Sequence, residues 1–113
     1  KVNVVFTGHE HLYERIRPQK GIQHFVSGGG GRYLYRVRPS EFDEVAESEH
    51  HFMIAEIAGD RLLFEAISHK QKVIDCGIVY RTQEAANAKP DDAIQKWLEE
   101  CEARRPTPRT TQQ

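Results

Sequence analysis

Between His51 and Tyr80 the chain passes through three apolar, β-branched stretches: His51–Ala58, Arg61–Ser68 and Val73–Tyr80. Only Gly59-Asp60, and then a turn at His69-Lys70-Gln71, separate them. Connections this short cannot carry the crossover that parallel neighbours need, so the three stretches predict an antiparallel meander. Two further strands are expected upstream. Residues 2–6, Val-Asn-Val-Val-Phe, are mostly apolar on both faces and read as an interior strand. Ile22–Ser27 is a second, halted by Gly28-Gly29-Gly30-Gly31. Four consecutive glycines favour no regular element and let backbone approach another group closely.

Residues 32–48 predict a long surface loop, basic first (Arg32, Arg36, Arg38) and acidic after (Glu41, Asp43, Glu44, Glu47). Past Arg81 the pattern changes. Ile94, Trp97, Leu98 and Cys101 stand at the spacing of an amphipathic helix over residues 91–105. Pro90, Asp91 and Asp92 at its start and Arg104-Arg105 at its end suit the helix dipole. Trp97 is its natural anchor on the body of the protein. Residues 106–113 predict a disordered tail, and no internal repeat is present.

The 113 residues carry 16 Lys+Arg against 17 Asp+Glu, a net charge of −1, which gives no case for wholesale nucleic-acid binding. No apolar run approaches the length of about eighteen residues that a membrane helix needs. Cys76 and Cys101 make neither a disulfide framework nor a CxxC metal knuckle. They read as apolar fillers, Cys76 in a strand and Cys101 on the helix's apolar face. Charge is uneven: residues 1–38 hold seven Lys/Arg and two Glu, a balance of +5, and residues 39–113 hold nine against fifteen, a balance of −6. The basic portion would suit an anionic ligand. Lys1 leads directly into the apolar run, and the only methionine is Met53. The chain therefore reads as a piece of a longer one, entered at a strand, and no compartment is assigned.

Gly8-His9-Glu10-His11 is the stretch that carries chemistry. Two histidines flanking one residue can bring two imidazoles into one small volume, and neutral imidazole is the commonest nitrogen ligand for zinc and iron. In an extended segment alternate side chains share a face, so His9 and His11 could address one ion or two close ones. Alone, such a pair is more often a satisfied or exposed pair of histidines. Its surroundings are more specific. Residues 4–15, Val-Val-Phe-Thr-Gly-His-Glu-His-Leu-Tyr-Glu-Arg, resemble the last metal-ligand motif of calcineurin-like metallophosphoesterases, in the form used by the purple-acid-phosphatase-like branch. Residues 21–31 (GIQHFVSGGGG), His51-Phe52, Gly59-Asp60-Arg61-Leu62 and Val73-Ile74-Asp75 are similar to that branch's C-terminal portion, in order and spacing. The resemblance covers about residues 2–81.

The resemblance implies a four-layer αββα sandwich, with residues 1–81 as the C-terminal part of its domain. Residues 82–105 would then be a linker and helix, and 106–113 a tail. It implies two metal ions (Fe, Zn or Mn), His9 on one and His11 on the other, acting on phosphate esters through metal-activated water. Tyr13 and Arg15 are candidates for facing the phosphate; alternatively Glu14 and Arg15 pair with neighbours and fix the loop. The family's Asp-x-His, GDxxxD and GNH motifs all precede GHxH, and none occurs in this chain. The remaining ligands would come from a missing N-terminal part, and the 113 residues alone should bind metal weakly and turn over no phosphate ester.

Other candidates have plainer readings. His24 shares a face with Ile22 and Val26 and is read as buried or interfacial. His50 and His51 begin a strand, where adjacent side chains diverge, so joint chelation is not expected. The tetraglycine could cradle phosphate through backbone N–H groups, but it lacks the Lys-Ser/Thr of a nucleotide loop. Two rival functions remain: a β-rich assembly module that pairs through the exposed edge of its first strand, and a mononuclear site using His9, His11 and one of His24, His50 or His51.

Overall fold

The computed structural model describes residues 2–35 and 40–106. Among these residues seven strands form two sheets. The first sheet holds β1 (Val4–Thr7), β2 (Tyr13–Gln19), β3 (Ile22–Ser27) and β4 (Asp43–Glu47) in the order β1-β3-β2-β4. The second holds β5 (His51–Ala58), β6 (Arg61–Ser68) and β7 (Val73–Tyr80) in sequence order. Two helices follow, the short α1 (Gln83–Asn87) and α2 (Asp92–Arg104). The chain is thus a mixed α/β fold, mostly sheet, with its main helix at the C-terminal end.

The meander forms as expected, with β5, β6 and β7 all antiparallel and His51 opposite Ser68 at one end. Gly59 takes the left-handed conformation at its first turn, φ 62°. α2 also forms, capped by the Asp91 side chain, which accepts from the Ile94 N–H at 2.9 Å. None of the helices among the described residues is long and apolar enough to cross a membrane.

Four expectations need correction. The first strand is not interior: among the described residues β1 pairs only with β3, in parallel register, and lies at the sheet's edge with Phe6 about half exposed. Apolar residues on both faces report what covers the faces, not how many strands lie alongside. Residues 13–19 form β2, a strand that the charged sequence Tyr-Glu-Arg-Ile-Arg-Pro-Gln conceals. Its register against β3 shifts between Ile16 and Gln19, around Pro18, which has no N–H to offer the ladder. The expected loop over 32–48 contains β4, which pairs antiparallel with β2; Arg36 and Arg38 lie outside the described residues, as does the tail from residue 107.

The fourth concerns sulfur. Cys76 on β7 and Cys101 on α2 form a disulfide with 6.0 Å between their Cα atoms, both side chains buried. Their separation of 25 residues hid a pairing that only the docking of α2 onto β7 creates.

The sheets pack through Tyr13, Phe25, Phe64, Ala66 and Ile74. Phe25 of β3 meets Phe64 of β6 edge-on, ring centroids 4.7 Å apart. A polar pin crosses the same space. Asp75 of β7, wholly buried, accepts from the Tyr13 hydroxyl at 2.5 Å and from Arg15 Nε at 2.8 Å, both on β2. Arg15 also reaches Glu44 of β4 at 3.2 Å. With a further bond from Arg15 Nη2 at 3.3 Å, the buried carboxylate has a charged partner and three directed hydrogen bonds, the condition for tolerating a charge inside.

Candidate functional site

β1 delivers the chain to Gly8, and the next four residues turn sharply rather than continuing extended. Glu10 N–H donates to the Gly8 carbonyl at 2.9 Å and Leu12 N–H to the Glu10 carbonyl at 2.8 Å. His9 takes up φ 74°, a left-handed conformation uncommon outside glycine but several-fold enriched in His, Asn and Asp. The premise that His9 and His11 share a face by strand alternation therefore fails, because the segment holding them is bent.

The tetraglycine closes against this turn. Gly28 N–H donates to the Leu12 carbonyl at 3.0 Å, and a Cβ on Gly28 would stand 2.1 Å from the Glu10 carbonyl oxygen. Only glycine fits there. The close approach expected of the glycine run is thus made to the histidine loop itself.

His11 is half-buried and held on several sides. Its Nδ1 lies 2.8 Å from the Tyr33 carbonyl oxygen. Since a carbonyl only accepts, Nδ1 carries the proton and Nε2 keeps its lone pair. The ring stacks on Tyr35 at 4.3 Å between centroids, tilted 24°, and meets Tyr33 edge-on at 5.0 Å. Tyr35 N–H donates to the His11 carbonyl at 2.9 Å. Sequence reasoning missed Tyr33 and Tyr35. The run Arg32-Tyr33-Leu34-Tyr35 carries an aromatic alternation that could have flagged them, but nothing in sequence marks a backbone carbonyl as a histidine's partner.

His9 is exposed. Tyr13 and Arg15 lie elsewhere, in the cross-sheet pin, with no surface left on Tyr13. Burial, and then the Asp75 carboxylate, push the Tyr13 hydroxyl far above its ordinary range. Burial opposes the Arg15 charge, but its hydrogen bond to Asp75 and the charges of Asp75 and Glu44 outweigh that and raise its pKa. Glu14, on β2, is pushed up to about 7, by burial first and then by a hydrogen bond and charge repulsion from Asp43 and the charge of Glu10.

The other histidines disperse. His24 is half-buried among the ladder partners Val5 and Ile16. His50 and His51 diverge, His50 toward His69 at 5.9 Å between rings and His51 inward to Ser27. Among the described residues no three His, Cys, Asp or Glu side chains stand together as a metal group, so the mononuclear site with His24, His50 or His51 is not formed. His9 and His11 offer two imidazoles but do not make a complete metal donor set among the described residues. The Nδ1 contact of His11 with a backbone carbonyl is of the kind that histidines make when the far nitrogen binds a metal. Compared with models of protein families, with curated proteins and with solved structures, the chain gives no match.

Proposed function

We propose that this chain supplies two histidine ligands, His9 and His11, to a two-metal centre that hydrolyses phosphate esters. The observation that carries the reading is the state of His11 within Gly8-His9-Glu10-His11-Leu12-Tyr13-Glu14-Arg15: Nδ1 is tied to a backbone carbonyl and Nε2 is left as the donor. The remaining ligands belong to polypeptide beyond these 113 residues. When bound, two such ions lower the pKa of a water and neutralise phosphoryl oxygens. The chain's own residues hold the imidazoles: Gly28 fixes the turn from behind, and Tyr33 and Tyr35 fix the His11 ring. Tyr13 and Arg15 support the loop through Asp75 rather than by touching phosphate.

The test has two parts. Calorimetric titration of the 113-residue chain with Zn²⁺ or Mn²⁺ should show weak binding that His11→Ala removes, and no p-nitrophenyl phosphate turnover. The protein extended by its upstream coding sequence should carry Asp-x-His, GDxxxD and GNH motifs and turn over that substrate in a His11-dependent way. An upstream stop codon, or metal binding indifferent to His11→Ala, would defeat the reading.

A second reading rests on the open edge of β1. Among the described residues that strand has one neighbour; Phe6 on it and Val2 just before it are exposed, as are Phe52, Ile54 and Ile57 on the edge strand β5. Neither strand carries the lysine or proline that commonly guards an edge. In this reading the chain is an assembly module pairing with another copy. A concentration-independent monomer mass in light scattering would argue against it.

A further inference from the structure

His51 opens β5 with its ring turned inward, 5% exposed, and both ring nitrogens are engaged. Nδ1 lies 2.9 Å from the Glu49 carbonyl oxygen and Nε2 lies 2.8 Å from Ser27 Oγ. The carbonyl only accepts, so Nδ1 carries the proton, and the Ser27 hydroxyl donates to a bare Nε2. Two more contacts hold the ring. Tyr13 meets it edge-on at 5.3 Å between centroids, and Gly29 sits so close that a Cβ there would be 2.7 Å from Nδ1. A hydroxyl bonded to an imidazole whose far nitrogen is tied to an acceptor is the arrangement in which imidazole takes the proton as oxygen attacks.

The pair is open to a ligand. Ser27 and His51 line a cavity of about 490 Å³ together with Phe6, Phe52, Met53 and Gly30. That size lies within the range of roughly 300–1,000 Å³ usual for small-molecule sites. Phe6, Phe52 and Met53 give it an apolar side, and Thr7 with Gly8 and Gly30 completes the lining. No atom lies within 4 Å of where a Gly30 Cβ would stand, so a ligand can reach the backbone there.

We propose that Ser27 is a nucleophile and His51 its general base, acting on carboxylic esters with a small apolar acyl group. Ser27 Oγ bonds to the carbonyl carbon while its proton passes to His51 Nε2. The ester C–O bond breaks, and the departing alkoxide takes that proton and leaves as an alcohol. Water then gives a proton to Nε2 and its oxygen to the acyl carbon, and Ser27 Oγ recovers the proton as the acid departs. Neither His9 nor His11 takes part.

The experiment treats the full chain, in EDTA, with an alkyl fluorophosphonate and locates the adduct by peptide mass spectrometry. In that reaction the Ser27 Oγ–P bond forms, P–F breaks, fluoride leaves and the proton goes to Nε2. Ser27 should be modified about 100-fold faster than the exposed Ser40 and Ser48, the scale of a positioned base. His51→Gln, with its fold checked by circular dichroism, should slow modification by a similar factor, and Ser27→Ala should leave that peptide unlabelled. The comparison among serines in the wild-type chain decides the matter even if the His51 variant unfolds. Modification of Ser27 no faster than of Ser40 or Ser48, or a folded His51→Gln variant labelled at the wild-type rate, would overturn the proposal.

Discussion

Reducing the Cys76–Cys101 bridge tests how much of this small protein's stability comes from docking α2. The bridge closes a loop of 25 residues between β7 and α2. On the chain-entropy account, a loop of that size restricts the unfolded state by about 3.5 kcal/mol at 25 °C. Total stability for a domain of this size is of order 5–15 kcal/mol, so the loss would be a large fraction of it. Both sulfurs are buried; once the bond is cut, Ile94 is the other buried residue on α2, helped by Arg104 to Glu65 at 3.4 Å and Arg105 to the Cys76 carbonyl at 3.3 Å. The assay is urea unfolding followed by circular dichroism, with and without dithiothreitol, beside the Cys76→Ala/Cys101→Ala double variant. With a slope on the order of 1.5 kcal/mol/M, the midpoint should fall by about 2 M on reduction. The double variant should resemble the reduced wild type. Two titratable thiols in the unreduced native protein, or equal midpoints with and without reductant, would refute the reasoning.

The cross-sheet pin makes a second prediction: Asp75→Ala should cost about 3–5 kcal/mol in urea unfolding, because it leaves the Arg15 charge and the Tyr13 hydroxyl inside without their acceptor. Replacing all three by apolar residues of similar volume should cost far less. Glu14 gives a pH dependence. Its pKa is raised from 4.5 to about 7 in the folded state, so both states hold the proton below pH 4.5, and only the folded one holds it between 4.5 and 7. Stability conferred by the protonated carboxyl is therefore lost as pH rises through that window; unfolding midpoints of Glu14→Gln should fall less than those of wild type, and parallel curves would contradict this. Gly28→Ala should drive a Cβ against the Glu10 carbonyl and displace the histidine loop, at roughly 1–3 kcal/mol measured by thermal unfolding.

What could be read in advance follows from the range of the interactions. The β5–β7 meander depends on contiguous apolar runs and tight turns, both local. α2 depends on a helical period and an Asp91 cap, also local. β2 escaped because its inward residues, Tyr13 and Arg15, are polar-tipped and suit the interior only through Asp75, some sixty positions away. β4 escaped because Asp43-Glu44-Val45-Ala46-Glu47 has almost no apolar signal and is a strand by virtue of pairing with β2. At the candidate site, the residue types His9 and His11 were visible, but the bend at His9 and the Tyr33 carbonyl on His11 were not, being properties of backbone geometry. Ser27 and His51 carry no signature at all at a spacing of 24 residues.

The parallel pairing of β1 with β3 has a kinetic consequence. β2 and β3 are joined by Lys20-Gly21, both at positive φ, the two-residue turn whose twist suits a hairpin. Such a hairpin closes in microseconds from local contacts. β1 must wait, since its partner strand exists only after the chain has gone out along β2 and returned, and it is then held on one side alone. Its amides should exchange with solvent sooner than those of β3. The strand that leads into His9 and His11 should therefore dock after the β2–β3 hairpin has closed, and the position of that loop follows the docking of β1.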